Sequence, residues 1–176
     1  MKLLLSRRRS LFIYGFAGVL FVCSMAVHPF GSVKQAHRNG VSTDDLPIPS
    51  DVKTLLARSC TNCHSNQTTW PWYSYVAPVS WLVERDVRRG RDHMNLSQWP
   101  QYSLKRQERL LADIASVVKN REMPLPQYTL LHKEAKLSDA ELDVLYRWAR
   151  TERRRVKAAL AISASPEGSV QRRVSQ

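Results

Sequence analysis

Glycine is scarce where a folded domain would need it for loops: of six glycines, Gly90 alone lies between residues 41 and 167. Dinucleotide and Walker loops need several closely spaced glycines, so phosphate-cradling loops are excluded there. The same scarcity argues against a strand-rich domain built on tight hairpin turns. Acidic residues are rare at both ends: none precedes Asp44, and only Glu152 and Glu167 follow residue 149. Phenylalanine is absent after Phe30 and tryptophan is absent before Trp70. Phe with Leu, Val and Gly is lipid-facing composition, whereas Trp and Tyr among charges is folded-domain composition. Cysteine is limited to Cys23, Cys60 and Cys63.

What is abundant is positive charge, a net +12 over 176 residues with a pI near 10.1. Taken whole, that balance suggests a nucleic-acid or anionic-membrane binder. Its distribution says otherwise. Residues 44–149 hold 14 basic and 13 acidic residues, so the middle is almost neutral. The excess sits at the two ends, and no nucleic-acid partner is expected. The length suits one domain, with a core small enough for an embedded cofactor to matter.

Lys2 and Arg7-Arg8-Arg9 precede an uncharged run of 17 residues, Leu11 to Val27. A charged region followed by an apolar one is the pattern of an export signal. This run is long for a signal and just long enough to span a bilayer. Ser24-Met25-Ala26 can serve as a small-residue cleavage site, so residues 1–30 are expected to be a signal peptide or a membrane anchor. The arginines would leave the N-terminus in the cytoplasm and the remainder in the bacterial periplasm, with residues 11–27 anchored in the inner membrane. Residues 31–49, with Gly31, Gly40, Pro47 and Pro49, resemble a linker.

The chemistry lies in Cys60-Thr61-Asn62-Cys63-His64, a CxxCH. A disulfide between Cys60 and Cys63 would close a trivial loop and leave His64 unexplained. A thioredoxin-type pair needs a βαβ setting that this chain lacks. A zinc site needs four ligands, usually from a second pair at matching spacing, and only isolated His93 and His132 lie downstream. Covalent attachment of one haem c uses every residue of the motif. Two thiols three apart match two vinyl groups on one porphyrin edge, and His64 becomes the proximal iron ligand.

Apolar periodicity places helices around the motif. Ser50 can cap a helix from Asp51 to about Cys60, with Val52, Leu55 and Leu56 on one face. Pro78 in a first turn and Gly90 at a C-cap bracket another. Ser103 can cap a third to about Asn120, and Ser138 with Glu141 forms a capping box for a fourth that runs into the basic tail as far as Ala164. No segment alternates like a strand. The expectation is all-α.

For the sixth iron position the side chains within the domain are His93, Met94, Met123 and His132. Met123 heads Met123-Pro124-Leu125-Pro126, where prolines can hold a thioether at fixed distance from a flat ring. Met94 is the alternative. Met ligation raises the potential and closes the iron to small molecules, which suits one-electron transfer. An open sixth position, with His93 or His132 as distal base, would instead make a haem sensor or a peroxidase-like enzyme.

Cys60-Thr-Asn-Cys-His-Ser-Asn-Gln-Thr-Thr-Trp-Pro-Trp-Tyr73 resembles the opening motif of the bacterial cytochrome c-like haem-binding domain family. The resemblance continues through Ala77-Pro78, Ser80-Trp81, Asp86-Val87, Gly90-Arg91, Met94-Asn95, Trp99, Met123-Pro124-Leu125, Tyr128, His132 and Trp148. It covers about residues 50–150 and implies a small, mainly helical c-type cytochrome-like domain, exported and often anchored. Leu96, where an aromatic is commoner, and the basic tail depart from the pattern; neither touches haem attachment. Trp70, Trp72, Trp81 and Trp99 are candidates to line the haem, or else simply pack the core. Arg91 is a candidate partner for a haem propionate, against the alternative of a solvated surface side chain. Residues 151–176 are expected to form a basic helical extension ending in a disordered stretch from residue 165, a solvated end or a contact for anionic lipid or an acidic redox partner.

Overall fold

The structure is a computed structural model that describes residues 2–27, 33–35 and 41–164, with side chains from Phe12 onward and without that of Gln35. The expected disordered stretch from residue 165 and the arginines at 7–9 lie outside what is described of backbone or side chain. The described residues form seven α-helices, in order: α1 Lys2–Ala26, α2 Ser50–Ser59, α3 Thr61–His64, α4 Val79–His93, α5 Leu104–Lys119, α6 Pro126–Leu131 and α7 Asp139–Ala164. Short 3-10 turns join them, and the described residues contain no strand. The expected all-α fold is observed.

The core forms where the apolar stripes of α2, α5 and α7 meet. Leu111, Ile114, Ala115 and Val118 recur at helical spacing along α5, and Leu145, Ala149 and Val156 along α7. These two helices make the most extensive helix pairing in the fold. Leu56, Leu111 and Leu145 are each no more than 2% exposed, and each such leucine contributes roughly 1.5–3 kcal/mol through burial. The basic run of α7 is not simply solvated, because Arg153 Nε contacts Glu108 Oε1 of α5 at 2.6 Å.

Capping explains several boundaries. Ser103 Oγ accepts from the Arg106 amide at 3.3 Å, opening α5 where expected. The Ser50 cap is not observed: α2 starts at Ser50 itself, after Pro49, and no side chain caps it. At α7, Glu141 Oε2 accepts from both the Ser138 amide and its hydroxyl at 2.8 Å, while Oε1 accepts from Arg58 of α2 at 2.7 Å. These contacts, led by the Ser138 amide, hold the Glu141 carboxyl down at about 2. Because this lies below the ordinary carboxylate value, the stabilisation is complete above about pH 4.5 and is lost as pH falls towards 2. Glu141→Gln is therefore expected to flatten the acid limb of stability. Thermal melts across pH 2–5 check this, and an unchanged slope would refute it.

Two expectations change on folding. Gly90 does not end α4, which continues through Arg91 and Asp92 to His93. The segment expected to be a linker is docked wherever it is described. Val33, Thr43 and Leu46 are buried, and the Val41 amide donates to Ser97 O at 3.0 Å. Lys34 Nζ lies 3.5 Å from the buried Glu84 carboxylate, over the Tyr75 ring at 3.9 Å and close to the Trp70 ring. Burying a carboxylate without a nearby cation would cost several kcal/mol, so Lys34 ties this segment to α4.

The described side chains of α1 from Phe12 to Phe21 are exposed and largely apolar. Among the described residues, no helix is long and apolar enough to cross a membrane. The expected spanning anchor is thus not found among these residues.

Candidate functional site

The CxxCH turn is built at the break between α2 and α3. Cys60 ends α2, and its carbonyl accepts from the Cys63 amide at 3.2 Å and the His64 amide at 2.9 Å. That single turn carries both thiols to one side and sets His64 beside them. Side chains lock it from outside. Asn62 Nδ2 donates to Tyr128 Oη at 2.8 Å, Asn62 Oδ1 accepts from the Thr69 amide at 3.0 Å, and Ser59 Oγ donates to Ala135 O at 2.9 Å.

Gly90 explains how α4 comes so close. A Cβ at this position would stand 2.6 Å from the Cys63 carbonyl oxygen, so only glycine allows the helix to lie directly on the motif's backbone. Its place inside the helix is thus a packing requirement rather than a termination signal.

His64 Nδ1 lies 3.1 Å from the Met94 carbonyl oxygen. A carbonyl can only accept, so Nδ1 carries the proton and the Nε2 lone pair is left for a metal. Burial pushes the imidazole pKa below its ordinary value, which favours the neutral, ligating form. Burial likewise raises Cys60 to about 12 and Cys63 to about 11, so both are neutral thiols at pH 7. They form no disulfide. Among the described residues, no cluster of three or more His, Cys, Asp or Glu could hold a metal ion.

Both thiols and His64 line a cavity of about 380 Å³. Its wall is apolar, with Leu56, Leu110, Ile114, Val118, Leu137 and Leu145 supplied by α2, α5 and α7 and the approach to α7. Met123, Pro124 and Leu125 close another part of it. Met94 also borders the cavity but is 6% exposed and packed into the core, with its carbonyl serving His64. The charged residues at the cavity are Arg85, Asp86, Arg89 and Asp113, with His93 beside Asp113.

The aromatic candidates divide. Trp70 borders an adjoining compartment of about 100 Å³, which shares Cys63, Leu125 and Tyr128 with the main cavity. Trp72 is 78% exposed, and the Trp81 indole N–H donates to Val27 O at 2.8 Å, so neither is brought to the cavity. Trp99 packs on the core beside Tyr102. His132 lies in the smaller compartment, with Nε2 bonded to Tyr73 Oη at 2.6 Å and Nδ1 to Glu134 at 3.1 Å. Both nitrogens are engaged, and His132 does not border the main cavity. Arg91 is also engaged: Nε donates to Ser65 O at 2.8 Å, one terminal nitrogen to Val33 O at 3.0 Å and the other to Thr68 Oγ1 at 2.8 Å. It braces the loop after the motif instead of reaching the cavity.

Compared with known families, residues 19–151 match the family model described as a haem-binding domain. The chain belongs to the haem-binding domain family. No curated protein and no solved structure matches the chain. The haem-binding domain match begins well before the CxxCH, which agrees with the docked segment around Val33 and Leu46. An apolar cavity bearing two neutral thiols and a neutral imidazole suits a haem. Sequence reasoning missed Arg85 and Arg89 because charged residues on an amphipathic helix ordinarily face water. Spacing from Gly90, placed against the motif, was the available signal.

Proposed function

We propose that the chain is a monohaem c-type cytochrome that transfers single electrons outside the cytoplasm. One observation carries this reading: Cys60, Cys63, His64 and Met123 all face one apolar cavity. Each thiol would add S–H across one vinyl double bond, a step needing no oxidant or reductant. Their high pKa values leave both as S–H until that addition. When bound, the haem supplies an iron that alternates between ferrous and ferric states.

The protein's part is to bind, orient and exclude water. His64 offers Nε2 in a fixed tautomer because the Met94 carbonyl holds Nδ1. Met94 is packed into the core, whereas Met123 is half-buried at the cavity after α5, which supports Met123 as the sulfur ligand. The apolar wall limits water at the iron, favouring electron transfer over bond chemistry. Export is supported by the apolar run of α1 with its arginine flank, which would deliver the domain to the periplasm. The redox partner would be a protein of that compartment.

The full chain is tested in a bacterium with a haem-attachment system. Haem staining on denaturing gels and the pyridine haemochrome spectrum are expected to give one covalent haem per chain. Cys60→Ala/Cys63→Ala is expected to abolish the covalent signal. Covalent haem in the double variant, or none in the parent, would overturn the reading.

A further inference from the structure

We propose that Arg89, seconded by Arg85, is the seat of the carboxylates of the bound haem. This rests on the haem reading above and assigns a part of the site that the CxxCH motif does not specify. Haem carries two carboxylates on the edge opposite its vinyl groups. They cannot be left in the apolar interior formed by α2, α5 and α7, because an isolated carboxylate there would be unpaired. They must meet the polar part of the cavity lining.

Besides Cys60, Cys63 and His64 of the motif, the charged and titratable groups there are few. On α4 they are Arg85, Asp86, Arg89 and His93; α5 adds Asp113, and Tyr128 comes from α6. Arg85 is turned to its neighbour, with Nε and a terminal nitrogen 3.0 and 2.9 Å from Asp86 Oδ1. His93 Nε2 faces Asp113 at 3.3 Å, and Tyr128 Oη accepts from Asn62. Arg89 makes no hydrogen bond or ion pair among the described residues, although it borders the cavity. It is the cation left over. Arg85 and Arg89 stand four residues apart, so both lie on one face of α4, about 6 Å from each other along the axis. A guanidinium matches a carboxylate with two parallel N–H bonds, which Arg89 has to offer to one haem carboxylate; Arg85, held by Asp86 through Nε and one terminal nitrogen, keeps its other terminal nitrogen for the second. Arg91, the residue that sequence reasoning put in this role, is occupied at Ser65, Val33 and Thr68.

The test uses the full chain with haem attached, comparing the parent with Arg89→Gln, Arg89→Lys and Arg88→Gln. Arg88 is exposed, lies on the same helix and does not border the cavity, so its variant removes equal charge without touching the site. The readout is the midpoint potential from pH 4.5 to 8, together with the resonance Raman bending modes of the haem carboxylates. Losing an adjacent cation raises a carboxylate's proton affinity, here by about tenfold. Arg89→Gln is therefore expected to shift the pH-dependent segment of the potential upward by about one pH unit and to move the carboxylate modes. Arg88→Gln should follow the parent in both readouts, and Arg89→Lys, which keeps the charge without the fork, should follow it in the potential. The same series in a His93→Gln background separates the carboxylates from the His93–Asp113 pair. Should Arg89→Gln fail to retain haem, retention by Arg89→Lys and Arg88→Gln supports the assignment, and loss from Arg88→Gln as well overturns it. Arg89→Gln carrying haem with the parent's profile and modes overturns it while leaving the cytochrome reading intact. A parent without covalent haem overturns both.

Discussion

Replacing Gly90 with alanine is expected to destabilise the protein and to cut covalent haem several-fold. Two effects oppose each other. In an ordinary helix interior, Gly→Ala stabilises by roughly 0.8–1 kcal/mol, because glycine loses more backbone freedom on folding. Here the added methyl would stand 2.6 Å from the Cys63 carbonyl oxygen and 3.1 Å from its carbon. Both are backbone atoms, so no flexible side chain can swing aside. Overpacking of this kind costs about 1–3 kcal/mol, and the net effect is a loss of up to about 2 kcal/mol. The displacement would also reach the ligand. The Gly90 carbonyl accepts from the Met94 amide at 2.9 Å, and the Met94 carbonyl in turn holds His64. Denaturant unfolding gives the stability change, and haem per chain gives the second. A Gly90→Ala protein as stable as the parent, with full haem, would contradict the packing described around the motif.

Met123→Ala is expected to change the iron's chemistry more than the fold. The side chain is only half-buried, so its truncation should cost less stability than a core methionine would. The bound haem, however, would lose its sixth ligand. The visible charge-transfer band of methionine-ligated ferric iron should vanish, carbon monoxide should bind readily, and the potential should fall. A fall on the order of 0.1 V is modest within the roughly 0.8 V that axial ligation spans. Met94→Ala should do the reverse: it leaves a cavity in the core, costing about 2–5 kcal/mol, while the band persists. Loss of the band in Met94→Ala alone would transfer the ligand to Met94. Ready carbon monoxide binding by the unmodified protein would favour a sensor or peroxidase-like role.

Much of the helical layout was legible because caps and apolar spacing act over three or four residues. Ser103 and the Ser138–Glu141 box mark their helix starts, and the final helix is continuous through Ala164, the last described residue. Ser50 failed as a cap because Pro49 already supplied the turn into α2. The short helix Pro126–Leu131 escaped notice because one and a half turns carry no periodicity to detect, and its prolines suggested only a rigid loop. Composition misled at residues 31–49, where Gly and Pro outweighed Val33 and Leu46; the turn holding Val33 packs against α4, far along the chain.

The chemistry of the site belongs to the sequence: two thiols and an imidazole within five residues need only one backbone turn to face the same way, whatever surrounds them. The separation of charge into basic ends and a near-neutral middle is likewise a property of the sequence. Only the tertiary structure decided which groups meet that turn. Gly90 packs against Cys63, Lys34 reaches Glu84, Arg91 is consumed by backbone carbonyls and Thr68, and Arg89 is left facing the cavity. The reason is physical. A local motif is specified by bonds and dihedrals shared between neighbours, whereas a long side chain takes its partner from whatever the packing of distant helices brings within reach.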